Sequence, residues 1–197
     1  QENISGWRFG LKKYLESYAF LFTIAGLIIS LDQWTKCLVR SSLGFQETWS
    51  PWEWLAPYAR IVHWRNTGAV FGIFQNFNLI FTILAIVVTL GIIYFFPRIT
   101  KEEWPLRIAL AMQMGGAVGN LIDRVTQGYV TDFVSLGRFA VFNVADASIS
   151  MGVVVLVIGV WWYERHHPSE SSSESQSTPV ETAKMDDVQP EENQPIE

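Results

Sequence analysis

Apolar residues dominate four long stretches of the chain, Tyr18 to about Lys36, Leu79 to Phe96, Pro105 to about Arg124, and Val141 to Trp162, with charges and turn formers gathered between them. Each stretch is close to the roughly 20 residues that a helix needs to cross hydrocarbon. The first ends in Asp32-Gln33-Trp34-Thr35-Lys36 rather than in a small-residue cleavage site, so it reads as a span and not as a signal peptide. Pro97 stops the second helix. Pro105 starts the third at a position where its missing N–H costs nothing, which makes Arg98 to Trp104 a tight polar connection. Trp7, Trp104, Trp161 and Trp162 fall at segment ends, where an amphipathic ring sits among headgroups. The pattern predicts an α-helical membrane protein with four transmembrane helices in a core of residues 18–163.

The connections add to this picture. Residues 37–78 are too many for a simple turn. They hold Trp49, Pro51, Trp52, Trp54 and Pro57, then the strand-like run Arg60-Ile61-Val62-His63-Trp64-Arg65. This reads as a small extracytoplasmic, β-containing subdomain on the membrane surface, either an interfacial loop with Trp anchors or a platform for substrate. Residues 125–140 form a second loop on the same face, with Gly128 ahead of a β-prone run from Tyr129 to Val134. Residues 164–197, rich in Ser, Glu, Gln, Pro and Thr, bury too little apolar surface to offset chain entropy and are expected to be disordered.

Composition enters where it separates these parts. With 49% hydrophobic and 17% charged residues and one Cys, the chain is neither disordered throughout, nor collagen, nor a disulfide scaffold. The net charge of −5 divides into nine acids against two bases from Glu164 onward and a net of +2 before it. No basic, aromatic face for nucleic acid is present in that core. Four spans put residues 1–17 and the tail on one side. Basic residues split evenly, with Arg8, Lys12, Lys13, Arg98, Lys101 and Arg107 facing Lys36, Arg40, Arg60, Arg65, Arg124 and Arg138. A charged tail is easier to leave in the cytoplasm than to translocate, so both termini are expected there.

The polar residues within the apolar segments carry the chemistry. The first segment ends in Asp32 and Lys36. Asn66-Thr67-Gly68-Ala69-Val70-Phe71-Gly72 precedes the second, the third ends in Gly119-Asn120-Leu121-Ile122-Asp123-Arg124, and the fourth begins Phe142-Asn143-Val144-Ala145-Asp146. Alternating helix direction brings all four groups to one membrane face. The uncharged parts of the first, third and fourth segments are only fifteen to seventeen residues long, so each reaches full length only if its Asp enters the bilayer boundary. A carboxylate there costs on the order of 2.5–3.5 kcal/mol before pairing, which marks it as functional; helix caps and ion pairs are the structural alternative. Asn120 with Asp123, and Asn143 with Asp146, are three apart and share a helix face. Gly115 and Gly119 allow close helix packing. Val130, Asp132 and Val134 alternate onto one strand face, which leaves Asp132 either turned to solvent or held in a site.

Two carboxylates in a poorly solvated place share a proton, so one serves as general base and the other, protonated, polarises a carbonyl. That is aspartyl protease chemistry. No CxxC, HExxH, Gly-x-Ser-x-Gly or phosphate loop competes with it, His63, His166 and His167 form no ligand set, and no metal or cofactor is expected. A small proton-coupled transporter is the alternative, although it would place its ionisable residues near the midplane rather than at one face.

Five ordered motifs, Asp32-Gln33-Trp34-Thr35-Lys36, Asn66-Thr67-Gly68-Ala69-Val70-Phe71, Gly115-Gly116-Ala117-Val118-Gly119-Asn120-Leu121-Ile122-Asp123-Arg124, Val130-Thr131-Asp132-Phe133 and Phe142-Asn143-Val144-Ala145-Asp146, resemble those of the bacterial lipoprotein signal peptidase family, signal peptidase II, over about residues 18 to 162. The resemblance implies an intramembrane aspartyl endopeptidase of the bacterial inner membrane. It would cut prolipoproteins just before a cysteine that already carries diacylglycerol, near the extracytoplasmic face. The family's dyad falls on Asp132 and Asp146, where topology alone pairs Asp123 with Asp146. Arg124, beside Asp123, favours the same choice by keeping that carboxylate ionised.

Asp32 and Asp123 are then expected to hold the site together, and Asn66, Asn120, Arg124 and Asn143 to hold the substrate backbone. Lys36, Gly68 and Ala145 complete the substrate-binding or site-supporting set. The implied partners are lipidated prolipoproteins, membrane lipid and globomycin-like cyclic peptide inhibitors, with no nucleic acid and a monomeric enzyme. The sequence departs from the family in a short Asp132–Asp146 loop, in Val70, and in its acidic tail. Its start at Gln1 instead of Met reads as processing or truncation.

Overall fold

The computed structural model describes residues 3–68 and 78–166. The expected tail beyond His166 and the Ala69 to Gly72 part of the second motif lie outside the described residues. The elements are α1 (Asn3–Ser42), β1 (Thr48–Trp49), β2 (Ala59–Asn66), α2 (Asn78–Phe95), α3 (Trp104–Gln127), β3 (Val130–Leu136) and α4 (Val144–His166). A short 3-10 turn at Phe96–Arg98 carries Pro97 and ends α2, and Pro105 sits in the first turn of α3.

Three helices are long and apolar enough to cross a membrane, over Lys12–Ser42, Asn78–Arg98 and Val144–Trp162. The helix over the third predicted span, α3, is less apolar for a physical reason. It packs against α1, α2 and α4 at once, so its circumference meets protein and tolerates Arg107, Asn120 and Asp123, all buried. Arg107 lies between the rings of Phe20 and Phe96, at 5.2 and 4.9 Å, and donates to the Ile99 carbonyl at 3.0 Å. The neighbouring core is Leu21, Ala25, Ile92, Phe96, Ala111 and Met114.

Three boundaries differ from expectation. The first helix runs to Ser42 instead of stopping near Lys36, because Lys36 and Arg40 turn inward onto carboxylates on successive turns. It also begins at Asn3, so much of the expected N-terminal segment is helical. The last helix begins at Val144, with Asn143 immediately before it.

Glycines decide how closely the helices approach. A Cβ on Gly115 would lie 2.9 Å from that of Ile28 on α1. One on Gly116 would collide with the Ala145 carbonyl and lie 2.7 Å from the Ser148 hydroxyl on α4. Gly116→Ala is therefore expected to cost about 1–3 kcal/mol by forcing α3 and α4 apart. Thermal unfolding in detergent should show a lowered Tm for it and an equal or higher Tm for Gly26→Ala, where nothing lies within 4 Å.

The strands form one antiparallel sheet in the order β1-β2-β3. Gly128 caps α3 at φ 76°, a left-handed conformation that reverses the chain and sends β3 back over the end of α3. An irregularity between Ile61 and Trp64 re-phases β2, so that Trp64 pairs with Asp132 and Asn66 with Val130. Sheet and helix ends meet at one end of the bundle.

Candidate active site

The base of the site is a buried charge cluster. Asp32 and Lys36, one turn apart on α1, pair at 2.8 Å with both side chains fully buried. Asp32 Oδ1 accepts the Ala145 N–H at 2.9 Å, and its Oδ2 occupies the space beside Gly119, where a Cβ would stand 2.7 Å away. Lys36 Nζ also lies 3.4 Å from Asp123 Oδ2 and donates to Asn120 Oδ1 at 2.9 Å. Asp123 Oδ2 accepts the Thr131 N–H at 2.8 Å, while Arg40 and Gln33 approach its Oδ1 at 3.4 Å. Asp32 thus ties α1 to the start of α4, and Asp123 ties α3 to β3.

The cations within 4 Å of Asp123 among the described residues are Lys36 and Arg40, and Arg124 acts on it only from farther off. Adjacent helical residues point to different faces. Arg124 leans back toward the Asn120 carbonyl at 3.4 Å and lies 5.6 Å from the Phe81 ring centre. Sequence reasoning also passed over Gln33, Arg40 and Thr131. Arg40 was findable, since it lies four residues beyond Lys36 on the same helix face.

Asn143 caps α4 reciprocally with Asp146: its Oδ1 accepts the Asp146 N–H at 2.9 Å, and its own N–H reaches Asp146 Oδ2 at 3.2 Å. The same Asn143 side chain donates to Asp132 Oδ1 at 2.7 Å and to Asn120 Oδ1 at 3.2 Å. Asn120 Nδ2 donates to Asp146 Oδ1 at 2.7 Å, and Asn66 Nδ2 to Asp132 Oδ2 at 2.9 Å. Gly68 N–H holds Asn66 Oδ1 at 3.0 Å, which fixes which way that amide points. Lys36 does the same for Asn120, because an ammonium only donates.

The strand alternation turns Asp132 inward rather than to solvent: it is 1% exposed and joined to Asp146 through Asn143 and Asn120. Asn143 departs from its expected contact with substrate. It is fully buried and its amide is engaged within the protein, so it orients the carboxylates. Asn66 and Asn120 each direct one amide hydrogen to a carboxylate and retain a second, and Arg124 keeps most of its donors for a ligand.

Burial, reinforced by the charge of Asp146, pushes the Asp132 carboxyl from an ordinary value near 3.8 up to about 7, against the hydrogen bonds of Asn66 and Asn143 and the more distant Lys36 charge. Its protonated form is thus the one the fold prefers. The corresponding stability is full below about pH 4 and is lost as pH rises towards about 7. Asp132→Asn removes that titration. Its Tm relative to the unchanged enzyme should climb across this window and level off above it, which a pH series of thermal melts in detergent measures.

Both carboxylates stand in the wall of a cleft of about 1190 Å³, together with Asn66, Asn120 and Arg124. From there the cleft runs down past Phe81 and Val88 of α2 and Met151 of α4. A peptide lying in it would bring a carbonyl to both carboxyl groups.

Apolar helices around a cleft walled by one buried and one half-buried carboxylate are the build of a membrane-embedded peptidase. The family model described as Signal peptidase (SPase) II matches residues 24–162. A lipoprotein signal peptidase of Brevibacillus brevis is 39% identical over 142 residues, covering 71% of this chain and 93% of the relative. One from Halalkalibacterium halodurans is 35% identical over 156 residues, covering 77% and 98%. A bacterial membrane enzyme solved by the in meso method at 2.3 Å resolution superposes with a TM-score of 0.66 at 26% identity, covering 81% of this chain and 93% of that one. The chain belongs to the signal peptidase II family and is an enzyme that hydrolyses peptide bonds. Family membership displaces the transporter alternative.

Proposed function

We propose that this enzyme removes signal peptides from diacylglyceryl-modified prolipoproteins by cutting just before the lipidated cysteine, with Asp132 and Asp146 as its catalytic pair. The observation that carries the assignment is the hydrogen-bonded link from Asp132 through Asn143 and Asn120 to Asp146 in the cleft wall. Asp146 lies in the first turn of α4, where the helix dipole favours a carboxylate. It is the base that takes a proton from water, and Asp132 is the acid that polarises the scissile carbonyl. Asn66, Asn120 and Arg124 offer donors to the substrate backbone, and Asp32, Lys36, Asp123, Gly68 and Ala145 hold the frame.

The reading includes α3 as a fourth, centrally packed span, both termini in the cytoplasm of a bacterial inner membrane, and the cleft mouth at the extracytoplasmic face. One chain suffices, solvated by membrane lipid. Globomycin-like cyclic peptides would bind where Asn66, Asn120 and Arg124 meet the carboxylates.

Full-length enzyme in detergent or liposomes should cleave a lipidated prolipoprotein on the N-terminal side of its modified cysteine. The unlipidated precursor should be cleaved at least about ten-fold more slowly, since the acyl chains supply binding energy in an apolar cleft. Mass spectrometry of the products locates the cut. A cut elsewhere, or equal rates on both precursors, would overturn the reading.

A further inference from the structure

Gln113 is the one polar residue between Ile108 and Gly119 on α3. Its side chain lines the cleft, with Cγ packed where Gly152 of α4 leaves room; a Cβ on that glycine would lie 3.1 Å away. Its amide makes no hydrogen bond among the described residues. Ser150 of α4 lines the same cleft and makes none either, although a helical serine ordinarily turns back to a carbonyl of its own helix, as Ser148 does to Ala145 at 2.8 Å. Gln113 is half-buried and Ser150 exposed, so both present unengaged polar groups to the cleft beside Ala117, Val88 and Met151, where a ligand can meet them.

Their height along the bundle says which part of a ligand that is. Gln113 lies seven residues below Asn120, and Ser150 four residues beyond Asp146. At a rise of about 1.5 Å per residue these are roughly 10 and 6 Å from the carboxylate layer. A substrate leaving that layer covers the distance in about two or three residues if extended and in about four to seven if helical. A helical signal segment satisfies its backbone internally, so the group that meets the amide and hydroxyl is a side chain.

Resting on the peptidase reading above, we propose that Gln113 and Ser150 form a polar subsite that selects signal peptides carrying a hydroxyl side chain, Ser or Thr, between the fourth and seventh residue before the scissile bond. Neither residue belongs to the motifs that carry the family resemblance. The subsite would therefore set which precursors this chain prefers and leave the chemistry itself untouched.

The test uses the full-length enzyme and lipidated prolipoproteins that differ by Thr or its isostere Val at each of those positions in turn. At one position kcat/KM for Thr should exceed that for Val by about 3- to 10-fold, the range of a hydrogen bond between membrane-embedded groups. Gln113→Leu and Gln113→Met should bring that ratio to near one, and Ser150→Ala should lower it. Equal rates at every position, or a ratio that survives in the Gln113 variants, would overturn the proposal. So would an equal loss on all substrates at unchanged Tm, which assigns Gln113 to the shape of the cleft. Should both Gln113 variants lose Tm, the ratio in Ser150→Ala decides. If the unchanged enzyme cleaves no member of the panel, the peptidase reading fails, and the subsite falls with it.

Discussion

Replacing Asp132 or Asp146 by Asn should lower prolipoprotein cleavage by at least about a thousand-fold, within the range for loss of a general acid or base that acts with a partner. Each change keeps side-chain size and removes the capacity to exchange a proton. The two differ in their surroundings. Asp146 accepts from Asn120 at 2.7 Å and from the Asn143 N–H at 3.2 Å, so its amide variant confronts donors with an NH2 group on one side. Asp132 meets the same conflict with Asn143 at 2.7 Å or Asn66 at 2.9 Å. Removing an ionisable group from a buried place, as at Asp132, or a half-buried one, as at Asp146, offsets some of that conflict, and both variants should remain folded. Single-turnover cleavage beside thermal melts measures both effects. Near-normal turnover in either folded variant would transfer the role to another carboxylate, and Asp123 would be the first to examine.

The largest stability effect is expected at Lys36. Its ammonium lies 2.8 Å from Asp32 and 3.4 Å from Asp123, all three side chains at most 1% exposed. Lys36→Met leaves Asp32 without its cation and Asp123 with Arg40 alone, and breaking a buried pair in this way costs about 3–5 kcal/mol. It also frees the Asn120 amide to rotate, so activity should fall further than stability alone accounts for. The double variant Lys36→Met/Asp32→Asn should recover part of the lost Tm, because the uncompensated charge is then gone. Additive losses in that cycle would show that the pair is not coupled.

Much of this arrangement is legible from residue order. The apolar runs locate the helices that become α1, α2 and α4, and Pro97, Pro105 and Gly128 mark where direction changes. Helical alternation places Asp32, Asn66, Asn120 and Asp146 in one layer. Spacing on α3 announces close packing at Gly115 and Gly119, although the neighbours they admit, Ile28 and the Asp32 carboxylate, follow only from the assembled bundle. Periodicity stops short at contacts between elements. That Asn143 spans both carboxylates depends on how far β3 folds over α3, a distance set by one left-handed glycine and one strand irregularity. The lower apolarity of α3 follows from the same contacts between elements, since a helix enclosed by three others need not be apolar all round.

The Asp32–Lys36 pair has a consequence for how the chain is made. Both partners lie within one turn of α1, which precedes every other described element, and they neutralise each other without any later segment. In the proposed topology, α1 can enter the translocon as a net-neutral unit at that level, before Asn120, Asp123 or Ala145 has been synthesised. Asp146 arrives on the last helix, and the Asn143 cap that links it to Asp132 arrives three residues before it. The buried ion pair of α1 is therefore made before either Asp132 or Asp146. In the proposed mechanism the catalytic pair is complete only once the start of α4 has been made.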